Sequence, residues 1–258
     1  MKIPHKRKRD NQQWLLDWVV NQSGRVINYE YEERELPDNV KTYAQVPKAL
    51  GRRADYKASI AEKARLSGHR RTALFTYQEA IFDYIQAQHA IFEDDHPVKL
   101  KYHEKLLRCF DSLIDVADYP IERVEIPWEG KEIQANFHFI PGKPNAPCVI
   151  VLPGMDVTKE FHREPIDHTF TSRGMHAIVI DGPGQGTSNI RKIRINDNNY
   201  EQAVSAVVDW LLDRPEVDSG KIALHGQSMG SHWAARAAAF DERIKATAAS
   251  MSCLGDKI

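Results

Sequence analysis

Lys221-Ile-Ala-Leu-His225-Gly226-Gln227-Ser228-Met229-Gly230 runs from a short apolar stretch into a G-x-S-x-G pattern, and an Ala-rich segment, Met229 to Phe240, follows at once. The spacing predicts a buried strand, a sharp turn and a helix. A nucleophile at such a turn needs small residues two before and two after it, because the backbone is strained and strand and helix approach closely there. With Gly and Ser each near ~7% of residues, the bare pattern turns up by accident in about one chain in ten of this length. The flanking strand and helix therefore carry the weight. The plainer alternative is a Gly-rich turn that serves packing alone.

Working outward, Cys148-Val-Ile-Val-Leu152 and His176-Ala-Ile-Val-Ile180 are continuous apolar runs, as expected of strands covered on both faces. Ile121 to Pro127 and Ile133 to Ile140 alternate around Glu129-Gly130-Lys131 and predict a β-hairpin. Glu201 to Leu212 places Ala203, Val204, Val207, Val208 and Leu211 on one helical face, and Ala246 to Ser250 is the next strand. Alternating strands and helices predict an α/β fold with a doubly wound, mostly parallel sheet and right-handed crossovers. Before Pro120 the period is helical: Ala54 to Leu66 stops at Ser67-Gly68, Arg71 to Phe92 breaks at Asp94-Asp95-His96-Pro97, and Leu100 to Val116 follows. The division read here is a helical domain over 1–120 and an α/β core over 121–258 containing the Ser228 turn. No second copy at a fixed period marks the helices as a repeat array.

The chain has 258 residues, Lys+Arg 35 against Asp+Glu 36, and a formal net charge of -1. Near-neutral charge removes the broad electrostatic footprint of a nucleic-acid binder. A mean hydropathy of -0.52, with no long apolar run, excludes a helical membrane span. Cys109, Cys148 and Cys253 are odd in number and widely spaced, so neither a zinc knuckle nor a disulfide framework is indicated, and a reducing, cytoplasmic setting is expected. The run His5-Lys6-Arg7-Lys8-Arg9 reads as a solvated tail, with a nuclear address or phosphate patch as the alternative.

A serine hydroxyl attacks a carbonyl only when a base takes its proton and donors stabilise the oxyanion. The Met229 N–H opens the helix and is one candidate donor. The second is expected from Leu152-Pro153-Gly154-Met155-Asp156, where Gly154 lets the loop approach the turn; the Met155 N–H is the first choice and Asp156 the next. Read alone, Pro153-Gly154 is an ordinary turn. Gly182, Gly184 and Gly186 are spaced G-x-G-x-G, which is not the dinucleotide fingerprint, and no His/Asp/Glu cluster has metal-ligand spacing. No cofactor and no metal are expected.

The turn H-G-Q-S-M-G at 225–230, V-L-P-G-M-D at 151–156 and D-G-P-G-Q-G at 181–186 together resemble the α/β-hydrolases. Within them, P-G-M-D-V-T-K-E at 153–160 and the helical N-terminal region are similar to a subgroup of 2,6-dihydroxypseudooxynicotine hydrolases, fungal polyketide-shortening hydrolases and FrsA-like proteins. The resemblance runs from about residue 45 to the end. It implies a helical cap over the active site and hydrolysis of a small carbonyl substrate, either a C–C bond of a ketone or β-diketone-like compound or an ester. In the carbon–carbon hydrolases of that subgroup a glutamate follows the oxyanion loop; the matching position is Asp156, one methylene shorter, with Glu160 a weaker candidate for the same work. Asp156 as an Asx-turn or cap is the bland alternative.

In this fold an acid and a histidine follow the serine in sequence. No histidine follows His232, which lies on the helix after the turn; His225 precedes the turn, and His162 and His168 lie before the nucleophile. The expectation is an N-terminal part of a longer hydrolase, without an ordinary triad and with little or no turnover of p-nitrophenyl acetate. Robust Ser228-dependent turnover would refute it. Two rivals stand beside this reading. One is a carboxylesterase or acyl-peptide hydrolase of prolyl-oligopeptidase type, although nothing in the first 118 residues reads as propeller blades. The other is a non-catalytic, FrsA-like partner-binding or regulatory protein. Neither nucleic acid nor membrane is an expected partner, and a homodimer is left open.

Overall fold

Three long antiparallel helices form the first layer of the computed structural model, which describes residues 36, 40 and 42–250: α1 (Val46–Leu66), α2 (Arg70–His89) and α3 (Pro97–Val116). The basic run 5–9 and the segment 252–258 with Cys253 lie outside the described residues. Helix α1 begins well before the Ala54 expected from periodicity, with a proline in its first turn and Val46 and Leu50 buried. Helix α3 starts at Pro97, one turn before the Leu100 expected, because Pro97 opens its first turn rather than breaking it and the His96 Nδ1 accepts from the Val98 N–H at 3.1 Å. Leu74, Ile81, Ile85, Leu106, Phe110 and Leu113 interlock between α2 and α3. The buried Asp83 carboxylate is held by Arg53 at 2.6 Å and Lys57 at 3.1 Å, so its charge is paired rather than stranded.

The second layer is a six-stranded sheet ordered β1-β2-β4-β3-β5-β6, from β1 (Ile121–Trp128), β2 (Lys131–His138), β3 (Ala146–Leu152), β4 (His176–Asp181), β5 (Val217–Gln227) and β6 (Ile244–Ser250). The β1–β2 and β2–β4 pairs are antiparallel, and β4–β3, β3–β5 and β5–β6 are parallel. Glu129 and Gly130, at φ 48 and 71, close the hairpin in two residues, the geometry that matches strand twist, so the strands run closer to the turn than alternation suggested. Helices α6 (Asn199–Leu212) and α7 (Met229–Phe240) cover one sheet face through Val204, Val207, Val208, Ala234 and Ala237. The β3–β4 connection, with the one-turn helix α4 (Glu164–Asp167), lies on the other, where Phe170 and Met175 pack on Val149, Val151 and Val179. Another short helix, α5 (Gly186–Ile190), follows β4. Among the described residues strand β6 pairs with β5 alone and is exposed from Lys245 to Ser250. Cys109 and Cys148 are buried free thiols.

The two layers meet where β3 and β4 end. Gln78 of α2 donates to the Phe161 carbonyl at 2.8 Å, the Phe82 ring packs tilted against Phe161 at 4.9 Å, and His103 of α3 meets the Thr187 hydroxyl at 3.1 Å. Asp94 receives Asn189 at 3.1 Å and Arg194 at 2.9 Å. These contacts stand at the C-terminal end of the parallel strands, the end at which the Ser228 turn lies.

Candidate active site

Strand β5 stops at Gln227 and α7 begins at Met229, leaving Ser228 alone between them at φ 55, ψ -125. A residue with a Cβ rarely adopts that conformation, so the surroundings must hold it. They do. The Ser228 N–H donates to the Ser250 carbonyl at 3.0 Å, the Ser231 N–H to the Ser228 carbonyl at 2.9 Å, and the Ser231 hydroxyl to the Gly226 carbonyl at 2.9 Å. The flanking glycines are required by close approach: a Cβ on Gly226 would strike the Gly230 carbonyl, and one on Gly230 the Leu152 carbonyl. Ser228 itself is half-buried, not sealed in the core. The Met229 N–H is the first of α7, where N–H groups have no partner within the helix.

The loop after β3 folds onto this turn. A Cβ on Gly154 would stand 3.3 Å from the Ser228 Cβ and 3.4 Å from the Asp156 Oδ1, so both side chains face the same α-carbon. Met155 is 64% exposed, and it lines a cleft of about 550 Å³ together with Met229, Tyr200, His232 and Trp233. On the other side of the turn Gln227 and His225 line a second cavity, of about 360 Å³, with His162, Phe161 and Phe170. The serine thus stands between residues that open onto two cavities.

Four histidines lie around these cavities and the loop between β3 and β4. His225 sits at the end of β5 with Nδ1 buried and unpartnered; burial, and then the charge of His162, pushes it below the ordinary histidine range. His232 lines the larger cleft and His162 the smaller, and His168 takes a left-handed conformation beside the Tyr119 ring. Among the described residues no histidine hydrogen-bonds the Ser228 hydroxyl, and no group of three or more His, Cys, Asp or Glu could hold a metal ion.

Sequence reading missed a buried ionic knot beneath the loop. The Lys159 ammonium, only 2% exposed, donates to Glu160 Oε1 at 2.5 Å, Asp181 Oδ2 at 3.0 Å and the Thr187 hydroxyl at 3.2 Å. Asp181 also accepts the Lys159 N–H at 2.9 Å and the Thr187 N–H at 2.8 Å. Burial alone would discharge the lysine, yet Asp181 and Glu160 hold its pKa above the ordinary value. Burial is the largest single influence on Glu160 and pushes its pKa up, but the charges of Lys159 and His103 and the hydrogen bonds from Lys159 and Thr158 together outweigh it and hold the carboxyl below its ordinary value. Its carboxylate accepts from Thr158 and Lys159 inside the protein, so its place is in this knot rather than beside the serine. The knot fastens the segment after the loop to the end of β4, and His103 ties α3 to it through Thr187.

With this geometry in view, the family described as "Esterase FrsA-like" matches the chain over residues 71–258. The chain is 33% identical over 127 residues to the 2,6-dihydropseudooxynicotine hydrolase of Paenarthrobacter nicotinovorans, covering 49% of this chain and 34% of that protein. It is 30% identical over 212 residues to the alpha/beta hydrolase xenA of Xenoacremonium sinensis, covering 77% of this chain and 49% of that one. The crystal structure of a 2,6-dihydroxy-pseudo-oxynicotine hydrolase superposes with a TM-score of 0.68 at 24% identity, over 90% of this chain and 62% of that chain, a likeness of fold. The chain therefore spans at most about half the length of these two curated relatives.

Proposed function

We propose, from the premise that this chain belongs to the FrsA-like esterase family of α/β-hydrolases, that it acts in the hydrolysis of a carbonyl compound with Ser228 as nucleophile. The relatives named above are hydrolases, which supports the reaction class. The observation that carries the reading is the Ser228 backbone, kept at φ 55 between two glycines that the close approach requires. In the proposed reaction the Ser228 Oγ adds to the carbonyl carbon and its proton passes to a base. The C–O bond of an ester, or the C–C bond of an activated ketone, then breaks; the leaving oxygen or carbon takes the proton, and water cleaves the acyl-serine. The N–H groups of Met229 and Met155 are the proposed oxyanion donors, and Asp156, facing the same α-carbon as the serine, is the proposed substrate-orienting acid. Residues 1–120 are the proposed cap, and its described helices α2 and α3 contact the strand ends that carry the turn. A small carbonyl substrate without a negative charge suits the larger cleft, where among the described lining residues the one arginine, Arg236, is already paired with Glu201.

The test is labelling with a fluorophosphonate, with and without added imidazole. Imidazole supplies the base that no described histidine provides. Labelling mapped to Ser228, enhanced by imidazole and lost in Ser228→Ala, is the expected result. A wild-type chain that stays unlabelled even with imidazole refutes the nucleophile and favours the second reading, a non-catalytic FrsA-like binding protein.

A further inference from the structure

The glutamine of the D-G-P-G-Q-G segment at 181–186 reaches the loop after β3. Gln185, 5% exposed, donates from Nε2 to the Pro153 carbonyl at 3.0 Å and to the Gly154 carbonyl at 3.0 Å. Its Oε1 accepts from the Gly182 N–H at 3.2 Å and the buried Tyr200 hydroxyl at 2.6 Å. The Gly182 N–H can only donate, so the carboxamide is oriented unambiguously with its NH₂ toward the loop. All four hydrogen-bonding positions of the side chain are filled. Few residue types fit here: one nitrogen must supply two donors to two adjacent carbonyls, while the other end accepts twice.

The consequence follows from peptide geometry. Every peptide described is trans, so the C=O and N–H of one peptide unit point in opposite directions. The Gly154 carbonyl is drawn toward Gln185, so the N–H of the same unit, on Met155, is turned away from it. The α-carbon of Gly154 faces Ser228. We propose that Gln185 is a positioning residue whose carboxamide, steadied by Tyr200, holds the Pro153 and Gly154 carbonyls so that the Met155 N–H is presented to a carbonyl under attack at Ser228. This rests on the Ser228 reading above and adds to it the element that sets the second oxyanion donor. The ionic knot at Lys159 fastens the far end of the same loop but touches neither carbonyl, so the orientation of the 154–155 peptide falls to Gln185.

Two measurements on the same chain separate this role from simple loop fastening. Selective ¹⁵N-methionine labelling and relaxation give order parameters for Met155 and Met229 individually. In the wild type both should be rigid, near ~0.85; in Gln185→Met, which keeps the side-chain length but loses the hydrogen bonds, Met155 should fall below ~0.6 while Met229, held by α7, stays put. Fluorophosphonate labelling of Ser228 in imidazole should slow about tenfold or more, on the scale of a lost oxyanion donor. If Gln185→Met loses its native spectrum, Tyr200→Phe decides in the same way, since it removes the hydroxyl that steadies Oε1 and keeps the ring stacked on Trp233 at 4.1 Å. Met155 unchanged beside Met229, with labelling within twofold of wild type, overturns the proposal and leaves the nucleophile standing. Met155 loosened in a protein whose wild type is never labelled overturns the nucleophile instead, and reduces Gln185 to a loop fastener.

Discussion

Ser228 holds a backbone conformation that costs a residue with a Cβ about 1–3 kcal/mol, and the proposed nucleophile role gives a reason to keep it. Ser228→Gly should therefore raise the free energy of unfolding by about 1 kcal/mol over Ser228→Ala, because Gly adopts positive φ freely and Ala does not. Urea denaturation of the two variants checks this, and equal midpoints would mean that the strain is not there. Gly230→Ala runs the other way: its Cβ meets the Leu152 carbonyl, so a loss of about 1–3 kcal/mol is expected in the same titration, together with loss of labelling at Ser228. At this scale the turn was legible because its requirement is local, two small residues at fixed offsets from a serine. Lys159 and Gln185 were not. A lysine beside a glutamate reads as solvated surface, and the Lys159 partner Asp181 lies 22 residues further along. The Gln185 acceptors lie 32 and 31 residues before it. Only the folded sheet brings such pairs together.

Elements reveal themselves when they are long enough to show a period. Helices α2 and α3 and the core strands were readable for that reason, whereas α4 and α5 are about one turn each, too short for periodicity to register. The first two turns of α1 were missed because few apolar residues mark them. One residue of that stretch, Gly51, is set against a neighbour. Placed mid-helix, Gly→Ala ordinarily gains about 1 kcal/mol, but here a Cβ would strike the Tyr102 ring of α3. Gly51→Ala should therefore destabilise the protein, and the same change in a Tyr102→Ala background should recover the ordinary gain; thermal unfolding of the four proteins reads both. The turn after α4 depends on one carboxylate. Glu164 accepts from the Phe170 N–H at 2.9 Å, the Thr171 N–H at 2.7 Å and the Thr171 hydroxyl at 2.8 Å. Burial pushes its pKa up, but the nearby His162, 3.6 Å away, and the hydrogen bonds from Thr171 outweigh that and bring it to about 2. A carboxyl depressed in the native state stabilises it above the unfolded value of 4.5, and that contribution is lost as pH falls from there toward 2. Glu164→Gln should flatten the dependence of the urea midpoint on pH across this window.

For the whole molecule the histidines set the sign of the pH response. His103, His138 and His176 are buried and His225 is half-buried, and in each, burial, as the first cause, lowers the pKa, to about 3 for His138. The unfolded chain takes up these protons near 6.5 while the native chain resists them, so stability is fully present above that pH and declines as pH drops below it. Urea midpoints measured from pH 7.5 down to pH 5 should fall steadily; a flat profile would show that these rings are protonated in the native state. Architecture at this scale was legible as two layers with different periods, but how the layers dock was not, because Gln78, His103 and Asp94 look like ordinary polar positions until the partner surface is present. The strand order has a consequence for synthesis. The helical layer is contiguous along the chain and closes on contacts between neighbours in sequence, so it can condense as it leaves the ribosome. Strand β3, translated soon afterwards, must wait with both edges open for β4 on one side and the much later β5 on the other. During that interval a nascent apolar ribbon depends on the finished helices, or on a chaperone, for shelter.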